Sequence, residues 1–142
     1  FPREREQQRN LLMIFIDLDV FKAINDRFGH QCGDSFLIQI GERLKANIRQ
    51  GDLVGRLGGD EFLVVGTELD TVQQQSFVAI LREALRGVYF LGEHRINYPG
   101  ASFGVTEVNP QIQDVESALR AADDAMYQDK KSRRRDSFLN ID

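Results

Sequence analysis

A chain of 142 residues with 42% hydrophobic and 28% charged side chains has the balance of one globular domain, which excludes disordered, collagen-like and disulfide-scaffold classes. Its formal charge of −4 and pI of about 5.2 argue against nucleic acid as a partner, since duplex-binding domains are usually basic. Cys32, the single cysteine, cannot form an internal disulfide, which suits a reducing compartment. The opening FPREREQQRN is charged, carries no apolar signal-peptide core and lacks an initial Met, so the chain reads as a piece of a longer protein. Leu11 to Ile16 is the longest apolar run. It is far too short to cross a bilayer and predicts a strand buried on both faces, ending in Asp17-Leu18-Asp19. Phe21 to Phe28 predicts a short helix stopped by Gly29. From Gly33 to Arg49, Phe36, Leu37, Ile40, Leu44 and Ile48 recur at helical spacing, and Gly51-Asp52 breaks that helix. Leu53 to Leu57 and Glu61 to Val65 flank Gly58-Gly59-Asp60 and predict an antiparallel hairpin. Val72, Phe77, Ile80, Leu81 and Ala84 mark a third helix. Val88 to Leu91 and His94 to Tyr98 pair around Gly92, and Ser102 to Val108 is a further strand. Val115, Leu119, Ala122 and Met126 mark a last amphipathic helix with a basic end, Lys130 to Arg135. The order β-α-α-β-β-α-(β-β)-β-α predicts a single domain over 1–142. Its class is an α/β (α+β) sandwich of ferredoxin-like type, with a mixed sheet and flanking helices, not a doubly wound sheet.

Three acids stand out within that order. Asp17 ends a buried strand, where a carboxylate faces a crevice, and Asp60 and Glu61 sit at the hairpin turn. If the hairpin lies beside the first strand, the three converge at one sheet edge. Hard cations such as Mg²⁺ take one or two carboxylates together with substrate phosphates. Gly58 and Gly59 have no Cβ, so a phosphate can approach their backbone N–H groups. Taken alone, the same residues also suit strand-capping acids and an ordinary hairpin turn.

Gly58-Gly59-Asp60-Glu61-Phe62 spells the signature of the GGDEF domains, the diguanylate cyclases, and the chain resembles that family well beyond those five letters. Phe15-Ile16-Asp17-Leu18-Asp19, Phe21-Lys22, Ile24-Asn25-Asp26, Gly29-His30 and Gly33-Asp34 match it, as does Ala122-Asp123-Asp124-Ala125-Met126-Tyr127 followed by Lys130. The resemblance covers Leu11 to about Arg135. It implies a nucleotidyl cyclase and polymerase-palm-type fold that condenses two GTP into cyclic di-GMP and releases pyrophosphate. It also implies Mg²⁺ (or Mn²⁺) held by Asp17, Asp60 and the main-chain carbonyl of Leu18, with Glu61 at the same site. Asp60 or Glu61 would help deprotonate the attacking 3′-hydroxyl. Asn25 and Asp34 match the guanine readers, consistent with the N1–H and N2–H₂ donors of guanine. Lys22, Lys130 and Arg134 match phosphate-neutralising positions, and Phe21, Gly58 and Gly59 match substrate contacts. Asn25 and Asp34 equally suit helix ends, and Lys130 and Arg134 a dipole-favoured helix C-terminus.

Arg49-Gln50-Gly51-Asp52 matches the family's product-inhibition site in type and in its spacing to Gly58, which implies cyclic di-GMP as a second ligand at Arg49 and Asp52. Arg82 and Arg86 are candidates for a further arginine there, and the bland reading is a helix-end Arg paired with a turn Asp. Two departures stand against the family pattern. The segment resembling D-x-L-T-G-L-x-N-R is absent ahead of the first strand, and Arg133 and Arg135 replace the expected Gly and Asn around Arg134. The stoichiometry implies a homodimer, since one domain binds one GTP. The resemblance further implies a cytoplasmic catalytic domain with no membrane contact of its own, forming the C-terminal part of a longer signalling protein. A catalytically silent module sensing GTP or cyclic di-GMP is the alternative, and the retained Asp17, Asp60, Glu61, Asn25, Asp34 and Lys22 argue against it.

Overall fold

Leu12, Ile14 and Ile16 alternate along the first strand with almost no exposure, which is the signature of a strand with a helical layer on that face. The computed structural model describes residues 10–109, 114–136 and 140–141, apart from the side chains of Val115 and of residues 134–141. In it β1 (Leu11–Asp17) is followed by α1 (Phe21–Phe28) and α2 (His30–Lys45). The hairpin β2 (Leu53–Gly58) and β3 (Glu61–Thr67) comes next, then α3 (Thr71–Leu85). A smaller sheet carries β4 (Gly87–Leu91) and β5 (His94–Tyr98). The chain then returns as β6 (Ser102–Val108), α4 (Val115–Asp136) and a short β7 (Asn140–Ile141) beside β5.

The main sheet has the order β2-β3-β1-β6, with every neighbour antiparallel. That order is the ferredoxin-like one, so the predicted class holds, while the sheet is antiparallel throughout and not mixed as expected, and the element order holds apart from an added β7. Leu12, Ile14 and Ile16 pack with Phe36, Ile40 and Leu44 of α2 and Phe77 and Leu81 of α3. Met13 points the other way and packs with Val108 and Ala118, so α4 covers the second face. The close fit there depends on Gly104, where an added Cβ would lie 1.9 Å from the Ala122 carbonyl oxygen.

Two details differ from the sequence reading. The second helix begins at His30 instead of Gly33, directly after Gly29 (φ 95°), and ends at Lys45 instead of Arg49. Asn47 Nδ2 donates to the Arg43 carbonyl at 2.8 Å, capping the helix early and freeing Arg49 for other contacts. The β7 strand had no signal in so short a segment. The free edge of β4 is covered by α2. Gln39 Nε2 donates to the Phe90 carbonyl at 2.8 Å, and Arg43 donates to that of Val88 at 2.6 Å. This removes an unpaired strand edge from solvent.

Candidate active site

The register of β1 on β3 sets Asp17 directly opposite Glu61. The backbone N–H of Leu18 donates to the carbonyl of Asp60 at 2.9 Å, which ties the strand end to the hairpin turn. The three acids therefore do converge. They meet at the end of the two central strands and not along a lateral edge, because β3 and β1 both lie inside the four-stranded order. Asp17 is buried, and Asp60 and Glu61 are half-buried. Burial pushes the Asp60 carboxyl above its ordinary range, and the charge of Asp17 adds to that. Glu61 is raised for the same reasons, burial first and then Asp17, Asp60 and Asp123. Negative charge is thus concentrated where water is partly excluded.

The cation that faces it is Lys130 of α4, whose Nζ lies 3.1 Å from Asp17 Oδ2. The other oxygen, Asp17 Oδ1, is buried without a hydrogen-bond partner among the described residues. A buried carboxylate oxygen left unmatched is costly, and an oxygen-seeking cation would relieve that cost. Among the described residues no three His, Cys, Asp or Glu side chains already close around a common point. The carboxylate donor set nevertheless fits a hard divalent ion together with ligand oxygens. The Leu18 carbonyl accepts from the Phe21 N–H at 3.2 Å and keeps a second lone pair. Gly58 (φ 148°) and Gly59 (φ 49°) take conformations that favour glycine, and a Cβ at either would meet no atom within 4 Å. The turn therefore faces open space. Arg56 Nε holds it by donating to the Gly59 carbonyl at 3.0 Å.

Asn25 of α1 lies against Gly33 of α2. A Cβ at Gly33 would sit 1.7 Å from Asn25 Oδ1, an atom that is buried and without a hydrogen-bond partner among the described residues. Gly33 thus lets Asn25 seat beside the turn that carries the exposed Asp34. Lys22 is not brought to the acids. It is 89% exposed and bonded to Asp26 at 2.8 Å. The Phe21 ring stacks on Phe36 at 6.4 Å, so its side chain belongs to the core margin. The side chain of Arg134 lies outside the described residues.

Arg49 and Asp52 form a forked pair. Arg49 Nε and Nη2 donate to the two carboxylate oxygens at 2.9 and 2.7 Å, and its backbone N–H adds a third bond at 2.8 Å. Burial would raise the Asp52 carboxyl, but the Arg49 bonds outweigh it and hold the group below its usual range. Arg49 also donates to the Thr67 carbonyl at 2.7 Å. Arg82 is engaged with Asp129 at 3.1 Å and Arg86 with Glu83 at 3.2 Å, so neither of these bonds reaches Arg49.

The sequence reading assigned no role to Asp19, Ser102, Tyr98 and Asp129, and it treated Arg133 only as a departure. Ser102 Oγ and Arg133 Nε both donate to Asp19. Burial raises the Asp19 carboxyl despite these bonds. Tyr98 buries a hydroxyl with no hydrogen-bond partner among the described residues, and burial and then the charge of Asp19 hold it well above its ordinary range. The available signal was spacing: Arg133 follows Lys130 by three residues and so shares its helix face.

A family model described as "Diguanylate cyclase, GGDEF domain" matches residues 2–136. Diguanylate cyclase DgcP of Escherichia coli is 48% identical over 98% of this chain, and probable diguanylate cyclase DgcC of the same organism is 34% identical over 94%. The chain spans 41% and 36% of the lengths of those two proteins. Among solved structures, the GGDEF domain of YfiN (TpbB) from Pseudomonas aeruginosa superposes with a TM-score of 0.80 at 32% identity, covering 92% of this chain and 82% of that one. A sensory box/GGDEF family protein from Caulobacter crescentus gives 0.81 at 31% identity, covering 92% and 85%.

Proposed function

Because this chain belongs to the GGDEF family of diguanylate cyclase domains, we propose that residues 1–142 form a single catalytic domain that condenses two molecules of GTP into cyclic di-GMP. The observation that carries the reading is the set Asp17, Asp60 and Glu61, gathered at the ends of β1 and β3 under the open Gly58-Gly59 turn, with Asp17 Oδ1 buried and unmatched. Asp17, Asp60, Glu61 and the Leu18 carbonyl would hold Mg²⁺ (or Mn²⁺), which when bound would offset charge on the triphosphate and its leaving group.

In this reading the 3′-oxygen of one GTP forms a bond to the α-phosphorus of the other, the α–β anhydride bond breaks, and pyrophosphate leaves. The reciprocal step closes the ring. Asp60 or Glu61 accepts the proton of the attacking hydroxyl. Their raised carboxyls are closer in proton affinity to such a task than free acids would be. Gly58 and Gly59 admit the phosphates to the backbone. Lys130 is within reach of the site and neutralises phosphate once it leaves Asp17. Lys22 and Arg134 would reach the phosphates from α1 and the end of α4, and Phe21 would contribute through its backbone. Asn25 and Asp34 read guanine, Asp34 by accepting from N1–H and N2–H₂. Adenine presents an acceptor at that position, and each unpaired polar group costs about 1–3 kcal/mol.

One domain holds one GTP, so two copies must meet face to face. Cyclic di-GMP would bind at Arg49 and Asp52 and hold domains apart, with Arg49, whose side chain is 43% exposed, turning part of its fork to the ligand. GTP as substrate places the domain on the cytoplasmic side of a cell. Among the described residues no helix is long and apolar enough to cross a membrane. Incubation of the chain with GTP and Mg²⁺, with products separated by chromatography, tests the reading. The expected products are cyclic di-GMP and pyrophosphate, and unchanged GTP would refute it.

A further inference from the structure

The Asp17-Leu18-Asp19 segment is gripped from α4 at both ends. Lys130 Nζ holds Asp17 Oδ2 at 3.1 Å. One helical turn later, Arg133 Nε holds Asp19 Oδ2 at 2.9 Å while another guanidinium nitrogen donates to the Pro99 carbonyl at 2.9 Å. Ser102 Oγ lies 2.8 and 2.9 Å from the two oxygens of Asp19 and completes the grip from β6. The guanidinium also lies close against Gly100 (φ 119°), where an added Cβ would sit 2.8 Å from Arg133 Nη2. Both side chains of the pair are largely buried, with Arg133 24% and Asp19 14% exposed. The helix itself is pinned one residue before Lys130, where Asp129 accepts the Phe103 N–H at 2.8 Å and pairs with Arg82 at 3.1 Å.

The segment so held is one that would not keep its shape unaided. Val20, the next residue, is β-branched and sits at φ 60°, a region such residues rarely occupy and retain only where surroundings impose it.

We infer that Arg133 is a positioning residue that, through Asp19, presets the Asp17 carboxylate and Leu18 carbonyl for the metal–triphosphate. The inference rests on the proposed cyclase reading. Arg133 touches no reacting atom. Without it the segment keeps its strand pairing and the Leu18–Asp60 backbone bond, but the final alignment of its oxygens is left to the arriving ligand, so the cost falls on binding and not on the chemical step.

The test uses the full chain. Mn²⁺ affinity is followed by electron paramagnetic resonance, and KM and kcat are followed with GTP. Arg133→Ala should weaken Mn²⁺ binding and raise KM by about tenfold or more, the range for residues that orient metal ligands, with kcat nearly kept. Arg133→Lys keeps the charge but cannot span Asp19 and the Pro99 carbonyl, so it should recover little. Arg133→Ala combined with Asp19→Asn should be no worse than either alone. If Arg133→Ala does not fold, Ser102→Ala removes the other grip on Asp19 and carries the same expectation. Unchanged Mn²⁺ affinity and KM, full rescue by Lys, or a fall in kcat alone would overturn the inference. Parental protein that binds Mn²⁺ but makes no cyclic di-GMP would overturn the cyclase reading instead, while the Mn²⁺ titrations would still decide the clamp.

Discussion

Glu61 and Asp60 share one environment that, in the proposed reading, would serve chemistry at the expense of stability. Each carboxyl is raised by burial and then by neighbouring negative charge. Glu61→Gln keeps shape and removes the charge, and cyclase turnover should fall by about two orders of magnitude or more. Parental turnover in Glu61→Gln and Asp60→Asn alike would refute the site. Stability should move the other way. A carboxyl whose pKa is higher folded than unfolded binds more protons in the native state, so its presence lowers stability as pH rises past the ordinary carboxylate range. Asp60→Asn should therefore melt at a higher temperature than the parent at about pH 7, with the gain vanishing towards about pH 3, where both states are protonated. Melting curves across that range check the sign. Replacing Asn25 or Asp34 by Ala should narrow the preference for GTP over ATP, read by calorimetry with each nucleotide. Equal binding of the two nucleotides by the parent would remove the guanine-reading assignment.

At the level of elements, the loop that leads from α2 into β2 is closed by the Arg49–Asp52 fork, which fastens it to β3 at the Thr67 carbonyl. The Asp52 side chain is 1% exposed, so removing its partner strands a buried carboxylate. Arg49→Ala should cost about 1–3 kcal/mol of stability, measured by denaturant unfolding. The sign with pH is opposite to that of Asp60. The Asp52 carboxyl is held low in the fold, so the stabilisation is present above the ordinary carboxylate range and is lost as pH falls through it. At temperatures where the variant stays folded, its initial rate should match the parent while inhibition by added cyclic di-GMP weakens. A variant as strongly inhibited as the parent would leave the pair a purely structural clamp.

Among the described residues the molecule offers one Gly-Gly turn and one set of converging acids, and the proposed reaction joins two nucleotides. In that proposal a single copy would hold half of the reacting set, and productive encounter would be a property of two chains. Specific activity should rise with protein concentration through the dilute range and level off once the dimer is populated. A specific activity independent of concentration from nanomolar upward, with the protein monomeric by light scattering, would refute the face-to-face requirement.

Much of this protein was readable before any coordinates. Apolar periodicity marked every main element except β7, because packing against a core leaves a 2- or 3.6-residue imprint on the chain. The hairpin acids and the Gly58-Gly59 turn were legible because turn chemistry and motif are local. Boundaries were less so: α2 stops at Lys45 because the Asn47 side chain caps it, a competition that spacing alone does not reveal. The site's surroundings were decided in three dimensions. The sheet order put the acids at the end of the central strands, and α4 delivered Lys130 and Arg133 to Asp17 and Asp19, partners 113 and 114 residues away in sequence. Lys22, which the resemblance assigns to phosphate, is bonded to Asp26, four residues on along its own helix, a pairing that the motif does not reveal. Local pattern is written in nearest-neighbour sterics and hydrophobic spacing. Which distant charges share a buried volume depends on how the layers pack, and that is settled only when the chain has closed on itself.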